Sequence, residues 1–103
     1  MLRVIALVLL LTACGGDAAS WPKTAGDTTC AEWIDTMTVD QRSGLANAIL
    51  TILWNQDGAA STPSPDVQTK FANAIGGTCT AFRTESVSSV ASGLYALSND
   101  VKP

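Results

Sequence analysis

The N-terminal segment limits what this chain can fold into, because its first residues are typical of a signal that is removed. Arg3 is the only charged residue before Asp17, and Val4 to Leu11 form an unbroken apolar run followed by small residues. A charged start, a short apolar core and small residues before a cleavage site describe a secretory signal. The run is too short to span a membrane as a helix, which takes about 20 residues. We therefore expect an exported protein whose folded domain begins after this segment.

The end of the segment, Leu11-Thr12-Ala13-Cys14, resembles the lipobox of bacterial lipoproteins. The resemblance implies that residues 1–13 are a signal peptide, that cleavage falls before Cys14, and that the Cys14 thiol receives a diacylglycerol. Two acyl chains anchor a protein stably, whereas one binds only marginally. We therefore predict a protein held by its lipid on the extracytoplasmic side of a cell membrane. The alternative is an ordinary secretory signal with a cysteine there by chance.

The charge balance after the signal argues against nucleic acid as a partner. The chain from Cys14 onward has five basic and nine acidic residues, so no basic patch is expected. The same balance gives no attraction to anionic lipid, which leaves the acyl anchor as the membrane contact. The 90 residues from Cys14 onward can form only a modest core, and domains of this size often need a covalent cross-link.

Cys30 and Cys79 are the two cysteines that remain once Cys14 is lipidated, and they lie 49 positions apart. Export to an oxidising compartment favours a disulfide, and two thiols allow one intramolecular pairing. The alternative is two free buried thiols. A metal site is disfavoured, because the chain has no histidine and two isolated cysteines lack zinc-ligand spacing.

The segment before the first helix is predicted to be a tether. Residues 14–28 are small and polar and are interrupted by Pro22, as in a flexible linker. Trp21 is the exception: it folds back on the domain or sits near the membrane interface, or else it docks a partner. We expect a helical domain over residues 29–98 and a tail over residues 99–103.

Two helix starts are marked by capping boxes. Thr29 followed by Glu32 predicts a short first helix, and Thr38 followed by Gln41 predicts a second that runs to about Asn55.

The second helix is apolar around much of its circumference, which is typical of a helix buried on most sides. We therefore expect a central helix, or one that completes its burial in a homodimer. Leu50 and Trp54, with Trp33 of the first helix, are the candidate surface for binding or dimerisation.

The third helix is predicted to begin after Ser64, where proline and an acid follow a capping serine. Its apolar residues recur every four positions and are Val67, Phe71, Ile75 and Cys79. We expect it to continue through Gly76-Gly77 with a bend for close packing; the alternative is a break with a new turn from Thr78.

The fourth helix is expected over residues 85–97, capped by Thr84. Its apolar stripe consists of Val87, Val90, Ala91, Leu94 and Leu97. Its other face is rich in serine and holds Gly93, so packing rather than helix propensity must stabilise it.

This order of elements is similar to the HdeA/HdeB family of small exported acid-stress chaperones. Thr29-Cys30 opens a short helix, an apolar helix follows, Cys79 lies near the end of a Val-Phe-Ile helix, and an amphipathic helix closes the chain. The resemblance covers residues 29–97 and implies an all-α bundle of about four helices with one Cys30–Cys79 disulfide. That family acts as dimers that open at low pH to hold unfolding clients. This chain departs from it in its sparse charge and its predicted lipid anchor.

The sequence favours a non-enzymatic, membrane-anchored protein-binding module, either a dedicated binder with one protein partner or a chaperone with many clients. The alternative is a phage- or prophage-encoded lipoprotein that blocks superinfection by binding an injection protein. Catalysis is disfavoured, since no nucleophile has a visible base and no phosphate-binding loop follows a strand. We expect no cofactor and no metal, and only a weak response to acid, because only aspartate and glutamate titrate there.

Overall fold

The structure, a computed structural model, describes residues 21–103, and this part of the chain is all-α. Its elements are α1 (Cys30–Asp35), α2 (Val39–Gln56), α3 (Pro65–Ala81), α4 (Val87–Leu97) and a 3-10 helix (Asn99–Val101). The predicted fold class, a small all-α bundle of four helices with one disulfide, is confirmed. None of the helices within residues 21–103 has both the length and the apolar character needed to cross a membrane. The predicted signal peptide and the predicted lipidation site at Cys14 lie outside the described residues.

The first three helices begin where their capping residues predict. The Thr29 hydroxyl accepts from the Glu32 N–H at 3.1 Å, while the Glu32 carboxylate accepts from the Thr29 N–H at 3.0 Å. Thr38 and Gln41 make the same reciprocal pair, at 3.1 and 2.9 Å. The Ser64 hydroxyl accepts from the N–H of the third residue after it, at 3.3 Å. These contacts satisfy N–H groups that have no partner within the helix.

A disulfide joins Cys30, the first residue of α1, to Cys79 in the last turn of α3. Both residues are fully buried, and their Cα atoms are 4.8 Å apart. The predicted pairing is confirmed, and it holds α1, the shortest of the four α-helices, against the core.

The central helix is α3, which packs against α1, α2, α4 and the 3-10 helix. It buries Phe71, Ile75 and Cys79 at four-residue spacing. The expectation that α2 would be central is wrong: α2 buries one stripe, and Ile52 on its outer face is 56% exposed. Although α2 has apolar residues around much of its circumference, only one side of it is buried.

The α3 helix is continuous through Gly76-Gly77, as predicted. A β-carbon at Gly76 would lie 3.4 Å from the indole nitrogen of Trp33, so the missing side chain lets α1 lie close to α3. A β-carbon at Gly77 would have no neighbour within 4 Å.

Residues 21–28 belong to the folded domain, which corrects the predicted tether boundary at residue 28. The Trp21 indole N–H donates to the Thr28 hydroxyl at 2.8 Å, and Trp21 packs against the core, as one of its predicted placements required. Thr28 is fully buried, and its carbonyl accepts from the Val87 N–H at 2.8 Å. The Ala25 carbonyl accepts from the Ser88 N–H at 3.2 Å. This segment therefore runs beside the start of α4.

The predicted tail over residues 99–103 is also part of the fold. Val101 is buried, and its carbonyl accepts a 2.7 Å hydrogen bond from the indole N–H of Trp54. The prediction failed because this contact joins residues 47 positions apart and leaves no local pattern.

The fourth helix starts two residues later than predicted, with Ser86 rather than Thr84 as its cap. The Glu85 carbonyl accepts from the Cys30 N–H at 2.8 Å, so residue 85 is held by the start of α1. The predicted stripe is buried at Val87, Val90 and Ala91, but Leu97 is 88% exposed, which corrects its assignment to the core.

Candidate functional site

A groove of about 380 Å³ lies where α1 ends, α2 begins and α3 passes beneath them. We call it groove A. Trp33 and Ile34 of α1 and Val39 and Arg42 of α2 form its walls, and Gly76-Gly77 of α3 forms part of its floor. The two glycines, singled out in the sequence for their cost in a helix, leave space there that side chains would fill.

Arg42 holds the corner between α1 and α2. One guanidinium nitrogen donates to the Trp33 carbonyl at 3.0 Å and to the Met37 carbonyl at 3.1 Å. These carbonyls lie at the C-terminal end of α1 and just beyond it, where oxygens lack partners within the helix and the helix dipole favours a cation. Arg42 therefore fixes the shape of groove A.

The lining of groove A is of mixed polarity. Val39 at its edge is 67% exposed, and Ser43 and Asn73 add a hydroxyl and an amide. No carboxylate or lysine lines the groove, and Arg42 stays protonated, so Ser43 has no general base there to activate it. Among residues 21–103 there is also no cluster of three potential metal ligands. This arrangement suits binding through apolar contact and hydrogen bonds.

The predicted binding surface is corrected in two of its three residues. Leu50 and Trp54 are buried against the core and present no surface, because α2 turns this stripe toward its neighbouring helices. Trp33 is only 2% exposed, yet it contributes to the wall of groove A.

A second groove, of about 360 Å³, lies between the C-terminal end of α3 and the outer side of α4. We call it groove B. Its lining is mainly apolar and includes Phe82, Val90, Gly93, Leu94 and Leu97, with Glu85 as its one charged residue. Phe82 is 54% exposed, and with Leu97 it places two large apolar side chains in solvent.

The two grooves use different sides of α3. Groove A uses Ala72, Asn73, Gly76 and Gly77, whereas groove B uses Thr78 and is closed by Phe82 just after the helix. At 100° per residue, the two sets point about half a turn apart on average. One ligand therefore cannot fill both grooves.

Two side chains outside the grooves have displaced pKa values. The hydrogen bond from Lys23 and the Thr29 backbone N–H lower the pKa of Glu32, because both stabilise its ionised form. Burial, together with the hydrogen bond that its hydroxyl donates to Asp57, raises the pKa of Tyr95 to about 12. The Tyr95–Asp57 contact joins α4 to the end of α2.

Sequence reasoning missed Val39, Arg42 and Phe82. Their roles depend on how helices meet: Val39 follows a helix cap, Phe82 ends a helix, and Arg42 reaches back nine residues to its carbonyl partner. The Gly76-Gly77 pair was the one visible signal.

No protein-family model, no curated protein and no solved structure matches this chain. The likenesses to lipoproteins and to the HdeA/HdeB family therefore remain predictions from the sequence.

Proposed function

We propose that this protein is an exported, lipid-anchored, non-enzymatic module that binds a protein partner in groove A. The observation that carries the proposal is the mixed lining of that groove, where an exposed Val39 and the wall of Trp33 adjoin Ser43 and Asn73. Tryptophan and arginine are enriched at the centres of protein interfaces, which combine an apolar middle with hydrogen-bonding edges.

The expected ligand is a short segment of a folded or extended partner. A groove of about 380 Å³ is at the small end of ligand sites, which run from roughly 300 to 1,000 Å³. It therefore suits one apolar anchor side chain whose flanking backbone bonds to Ser43 and Asn73. Arg42 is engaged with two carbonyls and serves the groove as a fixed wall.

The charge distribution favours a groove that is open at neutral pH over one that opens in acid. Thr28 is the one polar residue that is buried among residues 21–103, and no carboxylate there is buried. Acid would thus release no buried carboxylate in this part of the chain, and we propose binding that does not need acid opening.

Photo-crosslinking from α2 tests the proposal. A benzophenone amino acid replaces Val39, which lines groove A, in the full-length protein in its native envelope. Replacement of Ile52 is the matched control, because it is also an exposed aliphatic residue of α2 but lines neither groove. We expect a defined protein adduct from position 39 and none from position 52.

Adducts of the same pattern from both positions, or none from position 39, would contradict binding in groove A. Mass spectrometry of the same purified protein tests the anchor separately, since a lipidated chain would begin at Cys14 and carry the added mass of the lipid. Many adduct proteins that increase in acid would instead favour the chaperone behaviour of the HdeA/HdeB family.

A further inference from the structure

We propose that groove B is a membrane-facing surface that rests on the bilayer in which the protein is anchored. This inference rests on the lipid anchor of the proposed function, and it assigns the second groove to lipid. Its starting point is the lining of groove B, which is mainly apolar and carries Phe82 and Leu97 in exposed positions.

The folded position of residues 21–28 shortens the tether. Trp21 is bonded to Thr28, and the backbone of this segment is bonded to the start of α4. Six residues, 15–20, therefore lie between a lipidated Cys14 and Trp21, the first residue of the domain. The seven steps from Cys14 to Trp21, at no more than about 3.6 Å each, span at most about 25 Å. The domain cannot move far from the bilayer.

One end of groove B, lined by Glu85 and Ser89, lies at the start of α4, beside which residues 21–28 run. Phe82 begins the loop that leads into α4, and this loop is bonded to the start of α1: the Ala31 N–H donates to the Arg83 carbonyl at 2.9 Å. Residues 21–28 lie against the same start of α4. The far end of the groove, at Leu97, is one helix length away, about 16 Å for 11 residues. Both ends of groove B therefore lie within about one helix length of the segment that the tether enters.

The contact is apolar rather than electrostatic. Glu85 is the one charged residue of the groove, and residues 21–103 hold five basic and eight acidic side chains. Anionic lipid is therefore not required. The short tether gives the groove a high effective concentration of lipid, of millimolar order or above, so a weak apolar attraction is enough to hold it there.

Fluorescence quenching by lipid tests this orientation. The native lipidated protein and its Leu97→Trp and Ile52→Trp variants are reconstituted in phosphatidylcholine vesicles whose acyl chains are brominated. Both replaced residues are exposed, but only Leu97 lines groove B. We expect the added fluorescence of Leu97→Trp to be quenched, that of Ile52→Trp to be retained, and neither result to change with salt.

Lengthening the tether by ten Gly/Ser residues between Ser20 and Trp21 should weaken the contact about fourfold, since effective concentration falls as roughly the −3/2 power of linker length. Phe82→Ser should also reduce quenching at position 97.

Equal quenching at positions 52 and 97, or none at either, would overturn the proposal. Fluorescence of Leu97→Trp that changes with protein concentration, and not with brominated lipid, would also overturn it, because it would assign groove B to a second copy of the chain. Mass spectrometry of the same sample reports the lipid on Cys14, so failure of the anchor is distinguished from failure of the orientation.

Discussion

Grooves A and B share α3 but differ in how they are built. Groove A has walls from α1 and α2, a floor from α3, a guanidinium fixed by two carbonyls, and polar side chains beside its apolar ones. Groove B lies between two helices and has a mainly apolar rim with Phe82 and Leu97 in solvent. Fixed hydrogen-bonding groups suit a ligand with a defined shape, whereas an open apolar rim suits lipid, which has none. The comparison teaches that one small bundle can carry two surfaces of different chemistry.

Removing the disulfide should have the largest effect on stability, and it should affect groove A more than groove B. Replacing both Cys30 and Cys79 by alanine should lower the free energy of unfolding by about 4 kcal/mol in the chain-entropy model for a 49-residue separation. The loss should fall mainly on groove A, because α1 has six residues and isolated helices of that length are not stable. Urea unfolding measures the first effect, and hydrogen exchange the second.

The control for this prediction is α4, which forms groove B and is not attached by the disulfide. Amides of α1 should exchange faster in the variant while those of α4 change less. A uniform increase in exchange over both helices would show that the two grooves are not separately stabilised. If the double variant does not fold, mild reduction of the wild-type protein provides the same measurement.

Arg42→Met should destabilise the protein by about 2 kcal/mol, since it removes hydrogen bonds from a charged donor and leaves two carbonyls without their partner. Lys70→Met is the matched control on an exposed part of α3, with an expected change within about 0.5 kcal/mol. Both values come from urea unfolding. Similar values for the two variants would mean that Arg42 does not support groove A.

Tyr95→Phe should cost about 1 kcal/mol by removing the hydrogen bond to Asp57, which joins α4 to α2. This change should loosen the α4 wall of groove B and leave groove A intact, as hydrogen exchange would show. Faster exchange of the amides that line groove A would contradict the separation of the two sites.

The raised pKa of Tyr95 gives an independent reading of the same contact. Tyr95 is the only tyrosine of the chain, so its absorbance titration is unambiguous, with a midpoint expected at about 12. In the unfolded chain it titrates near 10, so the contribution of Tyr95 to stability should be constant below that pH and fall as pH rises from 10 through 12. Asp57→Asn should lower the midpoint; an unchanged midpoint would argue against the hydrogen bond.

The glycines of the two grooves form a matched pair. Gly77 and Gly93 are exposed helix residues at which a β-carbon would meet nothing within 4 Å. Alanine at either should therefore stabilise the protein by up to about 1 kcal/mol. If these glycines serve the grooves, Gly77→Ala should reduce the crosslink from Val39, and Gly93→Ala should reduce lipid quenching at Leu97. If either variant reduced both the crosslink from position 39 and the lipid quenching at position 97, the two grooves would not be independent sites.

The smallest effect concerns acid. Because the folded protein lowers the pKa of Glu32, this residue contributes stability above its ordinary pKa of 4.5, and the contribution is lost as pH falls through the folded pKa. Glu32→Gln retains a capping side chain without the charge and should make the acid dependence of the melting temperature shallower. Binding of a dye to exposed apolar surface should rise only slightly in acid; a sharp rise near pH 3 would contradict the weak response that we expect.

Local signals in the sequence predicted where the helices start, but the contacts between distant residues could not be predicted from it. The caps at Thr29, Thr38 and Ser64 involve neighbours three residues away, which a sequence displays directly. Export and the count of thiols predicted the disulfide. The contact of Trp54 with residue 101 and that of Thr28 with α4 depend on the assembled bundle. These two contacts include residues 21–28 and 99–103 in the folded domain.

The grooves were less predictable than the helices for the same reason. A groove is the space that packing leaves, so its lining follows from the angles between helices and not from any one segment. Leu50 and Trp54 were predicted to form a binding surface because they are large and apolar. Side chains with these properties pack into the core, and both residues are buried there. The exposed residues that form the groove edges, Val39 and Phe82, differ from buried ones only in where their helices begin and end.

The position of the disulfide has a mechanical consequence. A pull on an N-terminal anchor enters the domain through residues 21–29 and reaches Cys30. The covalent bond to Cys79 then carries that tension directly into the end of α3, and from there toward α4. Residues 31–78 form a closed loop that such a load cannot extend, and every residue that lines groove A lies within it. Under tension between the anchor and the C-terminal end, groove A would keep its length while the segments outside the loop take the strain.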